Sequence, residues 1–276
     1  MSRRKRKPRL GLTVLLTIVM LLVLFPIYWM ITTSVKIPLE YATREPTWFP
    51  SRITWEHYLA LWNSRAYRYL GNTVMVAFSS TALALGVGLM AAYALARFRF
   101  PAKFDLLFLL WVLLVRMAPP VVVAIPLYTT LRAFGLLNTH LGLVIAYQIY
   151  VLPYAIWMLL GFVREVPKEV EEAAEIDGAS KWRTLTSVVL PLVRPGLVAT
   201  WIFSLIMTWN EFLYALLFLR TPEKFTLPIH IANFITEYEI LWGELMAIGL
   251  MSSLPILLLS GYVQKHLLRG FAMQLK

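Results

Sequence analysis

Apolar residues run almost without interruption over six stretches of this chain: 10–31, 70–96, 104–131, 141–163, 196–219 and 245–268. Each matches or exceeds the about 20 residues that a helix rising about 1.5 Å per residue needs to cross the hydrocarbon of a bilayer. The pattern predicts an all-α integral membrane protein with six transmembrane helices. Pro119 and Pro120 remove two backbone donors from the third stretch, so a kink or short break is expected there. Between the first two stretches, residues 32–69 hold Trp48, Phe49, Pro50, Trp55 and Trp62, rings suited to the membrane–water interface. A second polar segment, 221–244, carries Glu223, Glu237, Glu239 and Glu244.

Composition agrees with this pattern. Of 276 residues, 59% are hydrophobic and 15% charged, and the mean hydropathy is +0.67, more apolar than a soluble core can use. Cysteine is absent, which excludes disulfides, thiolate nucleophiles and cysteine metal sites. The net charge of +11 does not point to nucleic acid, because it sits in short segments between apolar runs, where it sets orientation. One face collects Arg3, Arg4, Lys5, Arg6, Lys7, Arg9, Arg97, Arg99, Lys103, Arg164, Lys168, Lys181, Arg183, Arg194, Lys265, Arg269 and Lys276; the other has only Lys36, Arg44, Arg52, Arg65, Arg68, Arg132, Arg220 and Lys224. The richer face is expected to be cytoplasmic, with both termini on it. Residues 1–9 then form a basic cytoplasmic start, and 10–276 a single transmembrane domain. The first run ends in Phe25-Pro26-Ile27-Tyr28-Trp29, not in a small-residue cleavage site, so it reads as a span rather than a removed signal.

The fourth and fifth runs are joined by residues 164–195, long for a connection within a bundle. Pro167 suits a first helical position, Glu169, Glu171 and Glu172 complement a helix N-terminus, and Gly178 suits the left-handed position past its end. Val170, Ala173, Ala174 and Asp177 share one face. Ser180 is placed to cap a second short helix with Trp182, Leu185 and Val189 on its apolar side. Glu169, Glu171, Glu172, Glu175 and Asp177 crowd acidic charge onto an otherwise basic face. Ala173, Ala174, Gly178 and Ala179 leave room for another protein, and Trp182 is expensive to leave in water.

Here the sequence resembles a family. Glu172-Ala173-Ala174, three residues, Gly178, nine residues, Val188, one residue and Leu190-Pro191 is similar to the EAA loop of ABC importer permeases, with Val where Ile is commonest. Gly135-Leu136-Leu137-Asn138-Thr139 and Trp209-Asn210-Glu211-Phe212 resemble the carbohydrate branch and, within it, the maltose-type G subunit. The likeness covers most of the chain from about Asn72 onward, with 70–268 as the shared core. It implies a type I importer fold whose 164–195 loop forms a coupling helix, with Glu172, Ala173, Ala174, Asp177, Gly178, Ala179, Leu190 and Pro191 meeting an ATPase. It also implies a second homologous permease, two nucleotide-binding subunits, an extracytoplasmic sugar-binding protein and a bacterial or archaeal cell membrane. Arg269-Gly270 is kept at the C-terminus, but the family's later glycines are not, which leaves a tail contact to the ATPase without support.

No glycine is followed by lysine, so the phosphate-binding pattern G-x-x-x-x-G-K-[ST] is absent and ATP with its Mg is expected on a partner. His57, His140, His230 and His266 lack metal-ligand spacing, and no cofactor is expected in this chain. Arg116 and Glu211 are ionisable residues inside apolar runs, placed at similar depths, and are equally well read as a structural ion pair or as part of a translocation path. Tyr147, Gln148, Tyr150, Trp209, Asn210, Glu211 and Tyr214 supply the aromatic, amide and carboxylate groups that sugar sites favour. A secondary transporter would need carboxylates deep in several spans, and a membrane-embedded enzyme a paired acid, metal set or activated nucleophile; the sequence favours neither. The resemblance implies an α-linked disaccharide such as maltose or trehalose as the cargo, with a polyol or sugar phosphate as the alternative.

Overall fold

A computed structural model describes residues 10–41, 45 and 47–274, with side chains throughout except at positions 10, 102, 116 and 262–274. In chain order the helices are α1 (Leu10–Thr33), α2 (Pro38–Tyr41), α3 (Glu56–Asn63), α4 (Ala66–Arg97), α5 (Phe104–Met117), α6 (Pro120–Ala133), α7 (His140–Glu165), α8 (Lys168–Ile176), α9 (Lys181–Thr184), α10 (Leu190–Leu192), α11 (Arg194–Trp209), α12 (Leu213–Phe218), α13 (Leu227–Ala232) and α14 (Trp242–Gln274). Among the described residues the only β pairing is an isolated bridge, Ile235 to Ile240.

Four stretches are long and apolar enough to cross a membrane unaided: Gly11–Thr33, Ala66–Arg97, His140–Glu165 and Trp242–Gly261. Two bent helix pairs, Phe104–Val115 with Pro120–Ala133 and Lys181–Leu192 with Arg194–Trp209, raise the number to as many as six if each is one span. The break expected at the double proline is present, since α5 ends at Met117 and α6 begins at Pro120 after a 100° bend. The fifth run departs from expectation. Instead of one helix over 196–219, α11 stops at Trp209 and α12 starts at Leu213. The sixth helix also starts earlier than expected, at Trp242.

The chain divides into two compact units. One comprises Met1–Ala66 and Ile231–Leu254. Within it Tyr28 Oη donates to Trp48 O at 2.6 Å, and Trp48 packs against Phe25 and Trp29 of α1. Lys36 is buried, donating to Thr47 O, with its ammonium 4.4 Å from the Trp29 ring centroid. Burial lowers the Lys36 amine below its ordinary value. Hydrogen bonding from Ser51, whose N–H lies 2.6 Å from Glu40 Oε1, holds the Glu40 carboxyl low. His57 lies 2.8 Å from Lys36 O through Nε2 and 3.3 Å from Glu244 Oε1 through Nδ1.

The other unit comprises Tyr67–His230 and Pro255–Lys276. Small residues let α4 approach α7: a Cβ at Gly88 would lie 3.1 Å from Ala155 Cβ, and Ala84 and Ala155 are fully buried. Polar contacts lie between the same spans and α11. Thr81 and Thr208 hydroxyls meet at 3.2 Å, and Gln148 Nε2 donates to Ser80 O at 3.1 Å. The Gly135–Thr139 motif has a structural task. Gly135 takes φ +67 past the end of α6, with Leu136 N–H donating to Leu131 O and Gly135 N–H to Arg132 O, and Thr139 Oγ1 caps α7 by accepting from Gly142 N at 3.0 Å. Asn138 between them, at φ 56, accepts from Arg220 N–H and Thr221 N–H through Oδ1 and donates its own N–H to Phe218 O. It thereby clamps the exit of α12.

Candidate functional site

The 164–195 segment is an ordered helix–turn–helix. α8 begins one residue later than expected, with Pro167 as its N-cap rather than its first helical residue. It ends in a Schellman closure: Gly178 takes φ +84, its N–H donates to Glu175 O at 3.0 Å, and Ala179 N–H donates to Ala174 O at 2.9 Å. Ser180 caps α9, its Oγ accepting from Arg183 N at 3.3 Å. The helix then widens into a π turn over Leu185–Val189, with Leu190 N–H reaching Leu185 O. Pro191 follows at once; its missing donor and its ring disfavour the regular i to i−4 ladder at that point. Leu185 and Val189 are buried as expected, whereas Trp182 is 64% exposed and joins the outer surface instead of the apolar side. Glu172, Ala173, Asp177 and Gly178 are exposed too, Ala174 and Ala179 half-exposed, and Leu190 and Pro191 lie half-buried and exposed at the far end. Ile176 stands 86% exposed among these acids.

Only one side chain of α8 is buried, and it is charged. Glu171 is 5% exposed. Its Oε1 accepts from Arg97 Nε at 2.6 Å and its Oε2 from Tyr93 Oη at 3.1 Å. Arg97 Nη2 also donates to Val163 O and Val166 O, both at 2.8 Å. Around this group Tyr93, Leu159, Leu160, Val163, Leu185 and Val189 form an apolar cluster. The sequence counted Arg97 toward orientation and Glu171 toward an acidic patch, and nothing in it paired residues 74 positions apart.

The broken fifth run makes a second feature. Glu211 turns its carboxylate onto the start of α12, Oε1 accepting from Tyr214 N at 2.8 Å and Oε2 from Ala215 N at 3.1 Å. It thus satisfies donors that a helix start leaves unpaired. Asn210 closes α11 by donating from Nδ2 to Ile206 O at 2.8 Å. A cavity of ≈ 360 Å³ opens beside the break, lined by Tyr150, Asn210, Glu211 and Tyr214 with Val123 and Ile149. Of the other residues proposed for a path, Tyr147 and Trp209 are buried in packing clusters, and Gln148 is engaged with Ser80 O and Val144 O. The Tyr147, Tyr150, Tyr214 and Phe218 rings follow one another at centroid spacings of 5.5–6.0 Å. The expected Arg116–Glu211 pair falls outside the described residues at Arg116, and so does the C-terminal tail at its side chains.

Apolar crossing helices, a rigid polar loop between two of them and an interrupted span define a multi-pass membrane protein. The chain belongs to the family of binding-protein-dependent transport system inner membrane components, whose profile matches residues 84–272. It is 35% identical over 247 residues, 89% of each chain, to the diacetylchitobiose uptake system permease protein DasC of Streptomyces coelicolor. It is 33% identical over 256 residues, 90% of this chain and 89% of the relative, to the trehalose/maltose transport system permease protein MalG of Thermococcus litoralis. In fold it is similar, with a TM-score of 0.80 and 22% identity over 96% of this chain and 98% of the other, to a chain of a bacterial ABC transporter involved in the import of the acidic polysaccharide alginate.

Proposed function

We propose that this chain is the permease subunit of an ATP-driven sugar importer, lining the path together with a second homologous permease and taking its drive from two separate nucleotide-binding subunits that hold ATP and Mg. An external sugar-binding protein delivers the cargo, and both termini and the 164–195 loop face the cytoplasm. The observation that carries this reading is the construction of α8. A single-turn-wide acidic and small-residue surface, Glu172, Ala173, Ile176 and Asp177, is held outward by a Schellman closure on one side and a buried ion pair on the other. That is a docking surface with a rigid backing. The likeness to DasC and MalG, named for diacetylchitobiose and for trehalose and maltose, supports a sugar as cargo. An α-linked disaccharide is the cargo we favour, and the cavity beside Tyr150 and Glu211 is its candidate contact in this subunit. The DasC likeness favours a second reading, a β-linked amino-sugar disaccharide. The test is reconstitution in proteoliposomes with the cognate ATPase, partner permease and receptor, followed by uptake of labelled trehalose, maltose and diacetylchitobiose. Uptake of one of them that needs ATP supports the reading; an ATPase that does not copurify with the chain refutes it.

A further inference from the structure

We propose that Arg97 is the joint through which movement of α8 reaches the spans, a role that rests on the reading of α8 as the ATPase-facing helix. A surface helix is ordinarily held to its bundle by an apolar face. α8 is not: its apolar Val170 and Ile176 are exposed, and the one side chain it buries is the Glu171 carboxylate. Whatever pushes on α8 therefore acts on the bundle through that carboxylate, through the Leu185–Val189 turn it packs against, and through the chain on either side. The partner of Glu171 belongs to neither neighbour in sequence. Arg97 is the last residue of α4, and Tyr93, one turn earlier on the same helix, donates to the second carboxylate oxygen. The rest of the guanidinium is spent on the end of α7, where Val163 O and Val166 O both accept from Nη2.

One planar group thus ties three helices. The geometry uses features peculiar to arginine, a fixed fork able to serve a carboxylate and two carbonyls at once. The side chains of Arg97 and Glu171 are 9% and 6% exposed, so water competes little for these bonds. A displacement of α8 must either carry the ends of α4 and α7 with it or leave a buried charge unpaired, which is strongly disfavoured. Arg97 and Glu171 are positioning residues in this scheme; neither touches cargo or nucleotide.

The test compares Glu171→Gln, which keeps the shape but loses the charge, with Arg97→Lys, which keeps the charge but loses the fork. The complete reconstituted transporter is used, and inserted protein and bound ATPase are quantified for each variant. The expected result is ATP hydrolysis that persists while sugar transported per ATP falls at least about tenfold. A purely structural role would lower the amount of inserted complex and leave transport per ATP unchanged, and that outcome overturns the proposal. A second measurement needs no turnover. Spin labels at Lys168→Cys and Arg99→Cys, both exposed positions in a chain free of native cysteine, report the separation of α8 from the end of α4. In the parent complex the separation should stay narrow with and without ATP, and in Glu171→Gln it should broaden when ATP binds. Equal distributions in the two proteins overturn the joint. A parent complex that binds no ATPase overturns the reading of α8 itself, before any variant is compared.

Discussion

Gly196, at the start of α11, lies against the ring of Phe162 on α7 so closely that a Cβ at position 196 would fall 2.1 Å from the ring carbon Cγ. The clash is with the root of the ring, which clears it only by a change of the Phe162 χ1 rotamer or a shift of α7, and Phe162 packs against the cluster that holds Leu185 and Val189. Gly196→Ala should therefore destabilise the protein by about 1–3 kcal/mol, as overpacking does. Phe162→Ala, which removes the clashing Cγ, should recover part of the loss when combined with it. Thermal unfolding of the purified chain in detergent checks both, and equal midpoints for parent and Gly196→Ala would show that α11 can stand off.

Asn138 makes two separable contributions. Its backbone sits at φ 56, which costs an ordinary L residue about 1–2 kcal/mol, and its Oδ1 serves the Arg220 and Thr221 amides. Asn138→Gly removes only the second contribution and Asn138→Ala removes both, so Ala should be the worse replacement, by about 1 kcal/mol. Faster amide exchange at Arg220 and Thr221 is expected in either variant. Protection unchanged from the parent would mean that those amides do not depend on Asn138.

The fold was readable where a local rule governs it. Four of the six apolar runs are unbroken helices long enough to cross, Pro119 and Pro120 announced the bend, and Gly178 and Ser180 announced the turn and the second helix of the loop. The fifth run breaks between Trp209 and Leu213, which apolar content alone does not reveal. The signal available was Glu211 preceding α12, a carboxylate in reach of the Tyr214 and Ala215 amides. Arg97 and Glu171 were out of reach for another reason. Their pairing depends on how α4, α7 and α8 pack, and neither residue's sequence neighbours encode it. Periodicity places Trp182 on the inward face with Leu185 and Val189, but the turn at Leu185–Val189 is π rather than α, so the faces do not run on in phase.

Glu40 links the first unit to pH. Bonding from Ser51 lowers its folded pKa beneath the ordinary value of 4.5. The unfolded chain therefore binds the proton more readily, and the stabilisation is fully present above about pH 4.5 and lost as the pH falls through the lowered folded value. Glu40→Gln should flatten the acid side of the stability profile while leaving the alkaline side alone. Unfolding midpoints between pH 3 and pH 7 would decide it, and an equally steep acid limb in Glu40→Gln would assign the dependence to other carboxylates.

Replacement at Gly178 tests the closure of α8 against simple crowding. No atom lies within 4 Å of a Cβ built there, so the Cβ itself meets no steric obstacle, and the cost argued from is the φ of +84. That cost ranks the substitutions by backbone preference alone. Asn tolerates the left-handed region, Ala pays about 1–2 kcal/mol, and a β-branched residue more. Transport and sugar-stimulated ATP hydrolysis should accordingly fall in the order Gly, Asn, Ala, Val, while the amount of inserted protein stays level because the turn lies outside the spans. Val should come close to abolishing both activities, since relaxing the strain opens the bonds from Gly178 N–H and Ala179 N–H and turns Glu172 and Ala173 away from the proposed docking surface. Bulk at the surface is a separate matter: Ala173→Trp leaves the closure intact and should still block docking. If Gly178→Val hydrolyses ATP in response to sugar as well as Gly178→Asn does, the left-handed turn is not what holds α8 in place.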